Sequence, residues 1–96
     1  MKSLRKAIVK SVFEDLNFSP AEAANLQLRS AMMTRLIAEI EREGLTQAQA
    51  AKRMGITQPR VSDLMRGKLH LFSIDMLISL LVSMGLRVDL KVRKVA

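Results

Sequence analysis

Residues 45–67, LTQAQAAKRMGITQPRVSDLMRG, read as two short helices meeting at a sharp turn, and every other segment can be placed relative to them. Thr46 and Gln49 have the spacing of a capping box, in which a hydroxyl takes the third amide of a helix and an amide side chain reaches back to the cap. A helix therefore starts at Gln47. Ala48, Ala51 and Met54 follow at three-residue steps as its expected inward face, with Ala51 small enough to let a second helix cross closely. Gly55 ends it, because a glycine followed by apolar Ile56 suits a turn that takes positive φ and tucks a side chain under the next helix. That helix begins at Thr57 or Gln58. Pro59 is tolerated in a first turn whose amides have no intrahelical partner, although proline also biases Gln58 away from helical dihedrals. Val61, Leu64 and Met65 are expected inward, which leaves Gln58, Arg60, Ser62 and Asp63 facing out until Gly67 closes the element.

The small Ala51, the turn residues Gly55 and Ile56, and the inward Val61 and Leu64 resemble a Cro/phage-repressor (Xre-type) helix-turn-helix. Caps, small residue, turn glycine and inward apolars coincide over one motif length. A plain α-hairpin inside a bundle is the competing reading. Under the resemblance the second helix reads DNA, with Gln58 directed at adenine and Arg60 at guanine. Thr57 and Ser62 would bond phosphates, and Gln47 resembles the family's phosphate clamp. Lys52, Arg53, Arg66 and Lys68 would add electrostatic contacts, and Asp63 would orient Arg60 or Arg66.

Ninety-six residues make one small domain, near the size at which a partner chain often completes the buried surface. A homodimer is therefore expected. The chain has no cysteine and a single histidine, His70, so neither thiolate nor imidazole metal sites are expected, and no cofactor is implied. Glu14 and Asp15 are adjacent carboxylates with no His, Cys or Tyr companion, which suits a surface better than acid–base catalysis. The chain reads as a binding protein, not an enzyme. A net charge of +7 points to an anionic partner, but an anionic membrane satisfies charge as well as nucleic acid does. Its distribution discriminates better: residues 1–10, 52–68 and 87–94 carry the excess, and the middle block coincides with the motif. No apolar run approaches the ~18 residues of a membrane span, and the basic start lacks a signal peptide's apolar core. A cytoplasmic, nucleoid-associated bacterial protein is expected.

Residues 1–18 form an N-terminal arm in which Leu4, Ile8, Val12 and Leu16 fall at four-residue steps, although Ile8-Val9 and Val12-Phe13 suit an extended arm equally. Ser19, Pro20 and Glu22 mark a second capping box with proline at the first helical position. Leu28, Ala31, Met32, Leu36 and Ile40 then make an apolar stripe, flanked by Arg29, Arg35, Glu39, Glu41, Arg42 and Glu43 and ended by Gly44. Asn25 and a shift of apolar phase predict a break near residues 25–28, hence two helices. After the connector carrying His70, Ser73 caps another helix, with Phe72 and Leu77 spaced as a hydrophobic staple. Residues 74–84 are polar only at Asp75, Ser79 and Ser83, which predicts burial on more than one side. Ile74, Leu77, Ile78, Leu81, Leu86, Val88 and Leu90 are the expected dimer interface. In residues 86–93 apolar Leu86, Val88, Leu90 and Val92 alternate with charged side chains, the period of a half-buried strand.

The flanks sharpen the resemblance: SVFEDLNFSPAEAANLQLRS together with the motif and the following KLHLFSIDML look like small Xre-type antitoxins of the HigA kind. The resemblance implies a repressor of its own operon that also neutralises a RelE/HigB-like toxin. A stand-alone Xre-type regulator and a protein-interaction module are the alternatives. The expected architecture is mainly α: a five-helix, lambda-repressor-like helix-turn-helix domain over 19–85 with a short C-terminal β-strand in 86–96. Its partner would be a near-palindromic double-stranded DNA operator.

Overall fold

The computed structural model describes residues 18–95. Four α-helices and one 3-10 turn follow in order: α1 (Pro20–Arg42), α2 (Gln47–Met54), α3 (Gln58–Met65), the turn Leu69–Leu71, and α4 (Ile74–Ser83). The expected five helices and C-terminal strand are not what forms, since the described residues contain four helices and no strand. Residues 1–17 of the N-terminal arm lie outside the described residues, and with them the choice between helix and extended chain there.

Ser19 caps α1 by accepting from the Glu22 amide at 3.1 Å. The helix then runs unbroken for 23 residues, so the expected break near Asn25 does not occur. Asparagine costs a helix only a few tenths of a kcal/mol, no glycine or proline lies between Pro20 and Gly44, and the Asn25 side chain accepts from Arg29 Nε one turn on, at 2.7 Å. The apolar phase shift marks a change of surroundings. Leu28 is 52% exposed and Ala31 is also exposed, whereas Met33, Leu36 and Ile40 enter the core.

α1 packs along α4, and α2 crosses α3. Their meeting surfaces, with Phe72, form one core: Met33, Leu36, Ile40, Ala50, Ala51, Met54, Val61, Leu64, Leu77, Leu80, Leu81 and Met84. Burying each large apolar side chain contributes about 1.5–3 kcal/mol. Within α2 the inward face is Ala50, Ala51 and Met54, and Ala48 is exposed. A step of three drifts round a helix of 3.6 residues per turn, and adjacent small residues can share one crossing.

The sequence pattern places Glu39 beside the apolar stripe, but the structure buries it at 3% exposure. Arg35 Nη1 donates to Glu39 Oε1 at 2.9 Å, and Arg42 closes on both carboxylate oxygens. These hydrogen bonds, Arg42's first and Arg35's second, outweigh burial and hold the carboxyl down at about 2.

Residues 86–95 leave α4 without regular structure. Leu90 and Val92 are 85% and 84% exposed. Alternation gave the correct period for a strand, but a strand needs ladder partners for its amides and carbonyls, and none of the described segments supplies them.

Candidate nucleic-acid interface

Both motif helices are fixed at their starts. Thr46 Oγ1 accepts from the Gln49 amide at 3.1 Å while Gln49 Oε1 accepts from the Thr46 amide at 2.9 Å, the complete reciprocal box. Gln47, the first residue of α2, is exposed beside it. Gly55 takes φ 68°, and both its amide and that of Ile56 donate to the Ala51 carbonyl, which turns the chain sharply into α3. Thr57 then caps α3, its hydroxyl accepting from the Arg60 amide at 3.3 Å. Pro59 occupies the first turn, where its missing amide costs no bond.

The expected DNA-facing residues fall into three groups. Gln47, Lys52, Thr57 and Gln58 are exposed, and Lys52 has no ion-pair partner among the described residues. Arg53, Arg66 and Lys68 carry carboxylate partners. Arg53 Nη1 meets Glu43 Oε1 at 2.8 Å, and Arg66 and Lys68 both reach Asp63 Oδ1 at 3.4 Å. Asp63 therefore engages Arg66 and Lys68 and leaves Arg60 alone. Ser62 is half-buried.

Arg60 stands apart. Its Nη2 donates to the Leu71 carbonyl at 3.0 Å and lies beside the Met76 sulfur, and its guanidinium carbon sits 4.3 Å from the centre of the Phe72 ring. Arg29 Nη1 donates to the Leu69 carbonyl of the same turn at 2.9 Å. Two guanidinium groups thus grip the 3-10 turn, a role the sequence pattern did not suggest for either. Pro59, exposed beside Gln58 at the tip of α3, is a further candidate contact; its first-turn position was the available signal.

The expected dimer residues are also divided. Leu77 and Leu81 belong to the domain's own core, at 0% and 4% exposure. Ile74, Ile78 and Leu86 are half-buried, and Val88 and Leu90 are exposed. Val82, absent from the expected set, is 58% exposed on the α4 face that looks away from the core. A helical projection of residues 74–84 would have found it, since Leu77, Leu80, Leu81 and Met84 share one side and Ile78 and Val82 fall on the other.

Two short capped helices joined through a positive-φ glycine, the second exposing its first turn and packing Val61 and Leu64 inward, define a helix-turn-helix domain. A helix-turn-helix domain family model matches residues 12–93. A solved structure described as an XRE-family transcriptional regulator is 40% identical, with a TM-score of 0.69 over 73% of this chain and 79% of that chain. The chain belongs to the XRE family of helix-turn-helix regulators. No curated protein matches it. No helix among the described residues is long and apolar enough to cross a membrane.

Proposed function

We propose that the chain is a sequence-specific DNA-binding transcriptional repressor that acts by binding and not by catalysis. One observation carries this reading: the motif buries Ala50, Ala51, Met54, Val61 and Leu64 while exposing Gln47, Lys52, Gln58 and Pro59 around two capped helix starts. The first turn of α3 offers a Gln side chain suited to the N6 and N7 edge of adenine and a proline ring suited to a thymine methyl. Lys52, Arg66 and Lys68 then supply sequence-independent attraction to phosphates. Selection of bound duplexes from a random pool, followed by anisotropy titration over a salt series, tests the proposal. Equal binding of selected and scrambled duplexes at every salt concentration would refute it.

The repressor works as a homodimer on a near-palindromic operator in the cytoplasm, with its reading helices about 34 Å apart. Supporting this are the exposed Val82, Val88 and Leu90 and the half-buried Ile78 on and after α4. Light scattering decides it, because a monomer persisting at high micromolar concentration contradicts a dimer of this kind.

A narrower reading, an autoregulating antitoxin that neutralises a RelE/HigB-like toxin, is supported by the resemblance of the segments flanking the motif. Co-expression tests it: growth rescued from such a toxin, with a stable co-purifying complex, is the expected result. A free toxin and arrested growth would return the chain to the stand-alone regulators.

A further inference from the structure

We propose that Arg60 is a positioning residue that latches the reading helix to the Leu69–Leu71 turn, leaving base recognition to the side chains before it. The inference rests on the DNA-binding reading above for its consequence, but the latch itself is a property of the free domain.

Arg60 is the third residue of α3, next to the exposed Gln58 and Pro59. An arginine there has two possible uses, and its surroundings decide between them. A side chain held ready for a guanine would extend into water or be steadied by a carboxylate such as Asp63. Instead, the Arg60 guanidinium donates to the Leu71 carbonyl, lies over the Phe72 ring and touches the Met76 thioether. None of these partners is an anion, so charge attraction to a neighbouring carboxylate does not explain the arrangement. A flat, delocalised cation that lies over an aromatic face while its Nη2 donates to a carbonyl is what a guanidinium supplies better than a compact ammonium.

The partner ring makes the latch stiff. Phe72 is 1% exposed and sits in the core with Leu77 and Leu64. Arg60 is therefore anchored to a ring that is itself part of the core. The turn it holds is also gripped by Arg29 of α1, whose Nε is itself fixed by Asn25. The first turn of α3 is thus tied through Arg60, Leu71 and Leu69 to α1 and the start of α4. To reach a base edge Arg60 would have to give up its hydrogen bond, its stack and its sulfur contact together.

The test combines Arg60→Ala, Arg60→Lys and Phe72→Leu with Gln58→Ala as the reading control. Each variant is titrated against the selected operator and against single-base-pair variants of it over a salt series. Melting of each protein and of the Arg60→Ala/Phe72→Leu double variant is measured without DNA. A latch predicts that Arg60→Lys, which keeps the charge, weakens operator binding by about five- to tenfold, as Arg60→Ala does. It also predicts an unchanged preference at every base pair and an unchanged salt slope. The two melting shifts should be less than additive, because Arg60 and Phe72 share one contact.

A base reader predicts instead that Arg60→Ala relaxes one operator position while Phe72→Leu leaves that position selective. A phosphate contact predicts that Arg60→Lys binds like the wild type and that Arg60→Ala lowers the salt slope by about one. Either result overturns the latch, as do additive melting shifts. If wild-type protein binds no duplex selectively, the proposed function fails, and the melting cycle alone then decides whether Arg60 and Phe72 are coupled.

Discussion

At the C-terminal end of α1, Arg35 and Arg42 close on Glu39, a carboxylate with a side chain 4% exposed. Across the motif, Lys52 faces water unpaired among the described residues, and Arg66 and Lys68 share the single carboxylate of Asp63. Both regions carry cations in sequence, yet the first commits them to a buried carboxylate and the second keeps a surplus at the surface. A formal charge of +7 is therefore not the charge offered to a ligand. A cation within reach of a buried carboxylate is a structural group; one without such a partner, or sharing it, is available to a phosphate.

The strongest way to break this contrast is to remove the buried carboxylate. Glu39→Ala should destabilise the domain more than any surface charge change, because Arg35 and Arg42 lose their shared acceptor; thermal melting at pH 7 measures this. Acid probes the same network with a definite sign. The folded carboxyl is lowered from 4.5 to about 2, so its contribution is full above pH 4.5 and disappears as pH falls towards 2. Melting temperatures from pH 6 to 2 should therefore fall more steeply for wild type than for Glu39→Gln; parallel curves would remove the network from the account of stability.

On the open side, Gln58→Ala should cost about 1–3 kcal/mol of operator binding and relax preference at one base pair. Titration against single-position operator variants measures both. Lys52→Ala should have a smaller, uniform effect, weakening selected and scrambled duplexes alike and reducing the salt slope by about one. Retained slope would show that Lys52 lies off the DNA path. Arg53→Ala sharpens the comparison at its lower end. Its exposed ion pair with Glu43 is worth about 0.2–1 kcal/mol, so denaturant titration should show only that small loss.

What could be read directly from residue order was whatever depends on neighbours within a turn. The capping box of Thr46 and Gln49, the caps at Ser19, Thr57 and Ser73, and the positive-φ turn at Gly55 are all present. Each is a contact between residues three or four apart, so spacing and side-chain type suffice to specify it. The Phe72 and Leu77 pair also enters the core together, at 1% and 0% exposure.

The rest depended on which distant segment came alongside. Asn25 appeared to interrupt a helix that Arg29 in fact supports, and Glu39 appeared solvated until two arginines and the core enclosed it. Spacing separates Leu77 and Leu81 from Val82 around the helix, but only the packing of α1 against α4 decided which of those faces the domain covers. The alternating residues 86–93 carried a strand's period without a strand's partners. Arg60 shows the division most sharply. Residue order alone puts an arginine in the first turn of α3, since caps and proline set where that turn begins. Which way its guanidinium is held follows from long-range packing, because Leu71, Phe72 and Met76 lie 11 to 16 residues further along the chain and reach it only when α4 packs into place.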